Sequence, residues 1–370
     1  MSHSKIWAAG FNAFHQLCDR EGDSFTFEPL ALEPTDTHEK AVILYASWSG
    51  LVIQEGTRLR SRGFQKFDME SSALVEGFSL QSPFGDHNGL IGCLDSEGRV
   101  FYVTDATASG GQRDLTCQTG EEAPPLSHVA IAGNERVAVT FKQAPNARLT
   151  HIAEFDSLQS FVKWHADPSN EAHYPAAHHM LPGRPKQLLA NAANFIFLTE
   201  DGEVYTWGDP RFRTLARPTV GADADPADKP GLVDALGGLK IASVNCGSGV
   251  GWMASALSED GALYLWGATM PGDEGRIRCL QDVGAGEVAL VDVVTAPDSE
   301  PADIVSVGIG RNHVAVVTDT GRLFVVGDNS NGQLGLGKEQ SFAEDWAQVP
   351  FPGNIQRVLA APKSTFAFTS

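Results

Sequence analysis

VVTDTGRLFVVGD, residues 316–328, reads as a β-branched strand, a polar turn closing on Gly321, a second strand and a terminal glycine, Gly327. A tight hairpin needs a residue at positive φ, which glycine adopts without steric cost, and the flanking runs suit a pleated surface. The unit recurs as FLTEDGEVYTWGD at 197–209 and ALSEDGALYLWGA at 256–268. Gly202, Gly261 and Gly321 lie 59 and 60 residues apart, and Gly208, Gly267 and Gly327 keep those intervals six residues later. One hairpin-containing unit is being copied.

Weaker copies precede these three. Residues 47–63 (SWSGLVIQEGTRLRSRG) and 86–104 (DHNGLIGCLDSEGRVFYVT) place turn glycines at Gly56 and Gly98, and HVAIAGNERVAVTF at 128–141 is a degenerate copy. The termini are more informative. IWAAGFNAFHQL (6–17) matches LFVVGDNSNGQL (323–334), sharing Gly10 with Gly327, Asn12 with Asn329, and Gln16 and Leu17 with Gln333 and Leu334. The front half missing there appears at the other end, where IQRVLAAPKSTFAFTS (355–370) resembles IVSVGIGRNHVAVVTD (304–319). A unit split across the chain ends lets a circular array of sheets close without loose edges. The expected fold is therefore all-β: a seven-bladed β-propeller over residues 1–370 as one domain, closed by pairing of N- and C-terminal strands, with irregular blades at about 70–187.

Composition agrees. The 370 residues include 38 Gly and 20 Pro, so turns are frequent, and 42% are apolar, enough for a large core. The formal net charge of −19 repels phosphate backbones and anionic membranes, so neither direct DNA binding nor membrane association is expected. The longest apolar run, residues 41–46, is far short of the ~20 residues of a membrane helix. MSHSKIWAAG at the start lacks the apolar stretch of a secretory signal, and the five scattered cysteines fit a reducing cytoplasm or nucleus.

GDNSNGQLGLG (327–337), preceded by GIGRNHVAVVT (308–318), resembles the repeat of the regulator of chromosome condensation family. That resemblance implies a propeller acting by protein recognition. The family's founding member is an exchange factor for the small GTPase Ran and binds chromatin. Others are adaptors, including a partner of a histone demethylase. An α-tubulin-suppressor type pairs with a small metal-binding electron carrier used in diphthamide synthesis and Elongator-dependent tRNA wobble modification. The chain departs from the pattern eight residues before each turn glycine, where the family often has His. Trp48, Leu90, Asn194, Met253 and His313 stand there, and the N-terminal segment carries only Lys5 before the first strand. Acidity and the lack of a basic tail favour the electron-carrier adaptor, as monomer or heterodimer, over a Ran-like exchange factor or a chromatin adaptor.

No phosphate loop, nucleophile elbow or H-E-x-x-H helix is present, so a noncatalytic protein without cofactor is expected. GLGKEQ (335–340) reads as a propeller turn. Asp201, Asp260 and Asp319 read as turn residues, and Trp207 and Trp266 as packing residues between blades. His165, His173, His178 and His179 fall in a Pro-rich segment, 165–186, expected to be an irregular inter-blade loop without metal. Two candidate partner surfaces remain. After Gly208 the repeat breaks into DPRFRTLAR, bringing Arg211, Phe212, Arg213 and Arg217 into a surface loop of the aromatic-and-arginine kind found at binding hot spots. Trp48, His87, Trp252, Arg311 and His313 lie where inner hairpins begin, around one mouth of the central channel.

Overall fold

The computed structural model describes residues 5–30, 32, 41–105, 113–118, 120, 122–221, 224–247, 249–273, 275–294 and 300–369. Within them the strands form seven four-stranded antiparallel sheets. Their inner strands are Ile355–Ala361 in blade 1, Val42–Ala46 in blade 2, Leu80–Asp86 in blade 3 and Leu126–Ile131 in blade 4. Pro185–Ala190, Ile241–Cys246 and Ile304–Ile309 begin blades 5, 6 and 7. These inner strands enclose a narrow axial cavity of about 220 Å³.

Blade 1 holds both chain ends, as expected. Ile6–Gly10 pairs antiparallel with Ser364–Thr369, in a register setting Ile6 opposite Phe368 and Gly10 opposite Ser364. The gap between the ends replaces the hairpin turn that the other blades make between their second and third strands. In that turn Gly56, Gly98, Gly202, Gly261 and Gly321 all hold positive φ.

The apolar side chains form wedges between neighbouring blades. Ile6, Ala8 and Phe366 of blade 1 pack on Leu51 and Ile53 of blade 2, while Val317 and Val325 of blade 7 pack on Val358 and Ala367 of blade 1. The ring is thus sealed by ordinary apolar burial at the junction where the chain begins and ends.

The stretch 70–187 is more regular than expected. It completes blade 3 with Gly89–Asp95, Val100–Asp105 and Arg113–Cys117, and blade 4 with Val137–Phe141, Leu149–Phe155 and Ala177–Pro182. The expected inter-blade loop over 165–186 is corrected as well. It contains the end of a helix, Leu158–Ala166, then the outer strand of blade 4 and the start of blade 5. Ser157 caps that helix by accepting a hydrogen bond from the Ser160 amide at 3.1 Å. Phe161 and Trp164 pack onto Phe155, which anchors the insertion to the blade.

Candidate interaction face

Antiparallel order sorts the connections onto two faces. Turns from inner to second strand, and loops from third to outer strand, emerge on one face; the glycine hairpins emerge on the other. Trp48, His87, Trp252 and Arg311 occupy four inner-to-second turns, and Arg211, Phe212 and Arg213 a third-to-outer loop. The two surfaces read separately from sequence therefore share one face.

A loop closes the mouth there. Residues 249–253 of blade 6 reach across it, where the Ala192 amide of blade 5 donates to the Gly251 carbonyl at 3.1 Å. A Cβ on Gly249 would come within 3.1 Å of the His87 nitrogen in blade 3, and one on Gly251 within 2.9 Å of the Gly310 oxygen in blade 7. Glycine at 249 and 251 lets the backbones approach this closely.

Trp252, on this loop, stacks on Phe212, with centroids 3.7 Å apart and planes 3° from parallel. Both rings are partly buried. Arg211 is exposed and paired with Asp209, which holds the Asp209 carboxyl below its ordinary range. The Arg213 guanidinium donates to the Val283 carbonyl at 2.6 Å.

Two expected surface residues are structural instead. Arg217 is buried, with Nε donating to the Thr206 carbonyl and its terminal nitrogens to those of Pro218, Asp225, Pro226 and Lys229. It serves as an internal splint for the loop. His313 is fully buried in blade 7, its Nε2 3.0 Å from the Thr365 hydroxyl of blade 1. Because that hydroxyl donates to the Gln333 carbonyl at 2.6 Å, Nε2 is the protonated nitrogen, and burial pushes the imidazole down to about 3. Trp48 avoids this fate because blade 2 is shorter by two residues at this point. Gly50, not Trp48, pairs with Gly63 as His313 pairs with Gly327.

Sequence reasoning missed a larger aromatic group. Phe14 meets Trp48 at 5.4 Å and Phe64 at 6.1 Å, and Phe11 lies 6.0 Å from Trp48. Lys363 stands 5.1 Å over the Phe11 ring. Trp48 is fixed through its amide, which donates to the His87 carbonyl at 3.2 Å, and through its carbonyl, which accepts from Gln16 Nε2 at 3.2 Å. Beside this group a groove of about 870 Å³ runs between blades 2 and 3.

The four histidines of the 165–186 segment do not converge. His165 is buried among Tyr102, Phe161 and Trp164, and burial lowers it to about 4. His179 lies 3.6 Å from Glu154, and His178 pairs with His151 at 2.8 Å on an exposed surface. Trp207 and Trp266 are buried, with indole nitrogens donating to Glu154 at 2.6 Å and to the Thr214 carbonyl at 3.0 Å, in packing roles.

Residues 304–333 match the family model of the regulator of chromosome condensation (RCC1) repeat. The whole fold superposes on yeast (Saccharomyces cerevisiae) Prp20p with a TM-score of 0.68, at 14% identity over 100% of this chain and 92% of that one. Residues 304–333 thus carry an RCC1 repeat, and the chain as a whole folds as the same kind of propeller. Human WBSCR16 has the same fold, with a TM-score of 0.66 at 13% identity over 100% of this chain and 99% of the other. Among curated relatives, mouse RCC1 domain-containing protein 1 is 31% identical over 41% of this chain and 46% of its own length. The human E3 ubiquitin-protein ligase HERC2 is 28% identical over 48% of this chain and 3% of its own length. The chain thus spans less than half the length of these curated relatives. Prp20p itself has binding properties toward Gsp1p and histones.

The RCC1 repeat also explains the aromatic pairs. Four residues beyond the repeat glycines Gly10, Gly208 and Gly327 stand Phe14, Phe212 and Asn331. In blades 1 and 5 that position carries a ring, and each ring meets a tryptophan in the next blade's inner turn, Trp48 or Trp252. The repeat asparagine two residues after the glycine organises the loop. Asn12 Nδ2 donates to the Arg20 carbonyl at 2.9 Å, and Asn329 Nδ2 to the Gln340 carbonyl at 2.6 Å. Well-kept backbone positions thus carry substituted side chains outward.

Proposed function

We propose that this RCC1-repeat propeller is a noncatalytic protein-recognition scaffold that grips its partner with the loop face. The observation carrying the proposal is the pair of ring-on-tryptophan contacts, Phe14 with Trp48 and Phe212 with Trp252, set at one repeat position on one face. Tryptophan and arginine are enriched at the centres of binding interfaces, and Arg211 and Arg213 flank the second pair. The finer reading takes the partner to be a small metal-binding electron carrier serving diphthamide synthesis and Elongator-dependent wobble modification, in the cytoplasm or nucleus. It is supported by the resemblance to the α-tubulin-suppressor type and by the net charge of −19. An acidic scaffold recruits a partner through its basic patch, faster at low salt.

The test is direct binding by calorimetry of the purified chain to such a carrier and, separately, to a Ran-like GTPase and to histones. Binding of the carrier that weakens with Trp252→Ala, with no acceleration of nucleotide release from the GTPase, is the expected result. Accelerated nucleotide release would establish exchange instead, and histone binding alone the chromatin role.

A further inference from the structure

We propose that the groove between blades 2 and 3 is a receptor for one lysine or arginine side chain on an extended segment of the protein partner. This rests on the loop-face reading and assigns the chemistry of one part of it. Phe14 forms the middle of an aromatic corner, with Trp48 and Phe64 standing steeply to it at 78° and 68°. All three rings line the groove. Phe64 is 67% exposed, so most of its ring is open to a ligand entering the groove.

The polar lining has a sign. Asp86 and Asp105 contribute carboxylates and Arg113 one guanidinium. Asp86 is anchored by the amides of Asn88 at 2.7 Å and Gly89 at 3.1 Å, which fix its direction without neutralising it. Asp105 has an 89% exposed side chain and meets Arg113 only at 3.9 Å, a loose pairing in water. Ring faces carry the negative part of the aromatic quadrupole, so an aromatic corner beside two carboxylates and one guanidinium favours a cation over an anion. The volume, about 870 Å³, holds a side chain with its flanking backbone. The floor is preformed, since Gln65 clasps the Leu90 backbone, donating to its carbonyl at 3.2 Å and accepting from its amide at 3.1 Å.

The experiment uses the full chain and three fluorescein-labelled peptides, (Gly-Ser-Arg)4, (Gly-Ser-Gln)4 and (Gly-Ser-Glu)4, read by fluorescence anisotropy at low and moderate salt. The expected result is binding of the arginine peptide alone, weakened at least about threefold by Phe64→Ala and by Asp105→Asn. Glu200→Gln, an equal change of charge on the opposite hairpin face, should leave the affinity within about twofold. Melting temperatures confirm that each variant is folded. Three results overturn the inference: equal binding of the glutamine peptide, arginine binding untouched by both groove variants, or loss through Glu200→Gln instead. Arginine binding untouched by the groove variants would be the signature of the diffuse −19 field alone. The two readings fail separately. Capture of the carrier with no peptide binding removes only the groove, and peptide binding with no carrier capture removes only the partner named above.

Discussion

Phe212 lies flat on Trp252, with ring centroids 3.7 Å apart, joining a third-to-outer loop of blade 5 to the loop that closes the channel mouth from blade 6. Phe212 and Arg213 both hold left-handed backbone, at φ 63° and 57°, a conformation costing a non-glycine residue of order 1 kcal/mol or more. Such a geometry persists only where surrounding contacts fix it. Here the stack and the Arg213 bond to Val283 do so.

The stack should therefore be measurable as coupling. In urea melts, Phe212→Ala and Trp252→Ala are each expected to destabilise by about 1–2 kcal/mol, with a double-mutant coupling of about 0.5–1.5 kcal/mol. Strictly additive losses would mean that the rings touch without supporting each other.

The repeat position after Phe14 gives a second test. His15 holds φ 56° where the well-kept repeat has Gly332 at φ 84°. His15→Gly should raise stability by about 0.5–1 kcal/mol by removing the strain. Gly332→Ala should lower it by more than about 2 kcal/mol, because its Cβ would press within 2.7 Å of Phe25 Cα. The first change removes strain and the second adds both strain and a clash, so chemical denaturation should read opposite signs.

Acid should weaken the fold through two histidines. His165 falls to about 4 and His313 to about 3 because burial disfavours their charged forms. Between the unfolded value of roughly 6.5 and those folded values, the unfolded chain holds the extra proton. Stability is then full above pH 6.5 and falls as pH drops through that window, by up to about 1.4 kcal/mol per unit for each histidine, levelling off below it. His165→Phe should flatten the slope between pH 6.5 and 4 in urea midpoints. An unchanged slope would show that His165 is not the group being protonated.

Closure through the termini makes a cooperative prediction. Removing the strands Ile355–Ala361 and Ser364–Thr369 exposes the edge of Ile6–Gly10 and the apolar wedge against blade 7. Calorimetry of that truncated chain should show no native-like melting transition, because every blade loses a closed ring. An unaltered transition would refute closure by shared strands.

The ring was legible because its hairpins need glycine at a fixed place, and Gly202, Gly261 and Gly321 advertise it at regular intervals. Blade 4 was obscured because its second-to-third turn, residues 142–148, has no glycine, and because the helix Leu158–Ala166 interrupts the strand pattern. Trp48 and Trp252 stood out as breaks in the repeat. Phe11 and Phe14 did not, since they sit inside a stretch read for its match to 323–334, although they replace Asp328 and Asn331 there. Phe64 joins them only across the boundary of blades 1 and 2, a proximity no linear spacing encodes. Arg217 and His313 looked exposed because charge predicts exposure; carbonyl groups and a threonine hydroxyl had been arranged to receive them.

The central claim is that recognition belongs to the loop face. Its most direct test is quantitative affinity purification of the wild-type chain beside two variants: Phe64→Ser with Trp252→Ala on the loop face, and Glu200→Lys with Asp260→Lys on the hairpin face. The account predicts that the loop-face variant, still folded by melting, loses the partners the wild type retains, while the hairpin-face variant keeps them. Retention by the loop-face variant together with loss by the hairpin-face variant would contradict it.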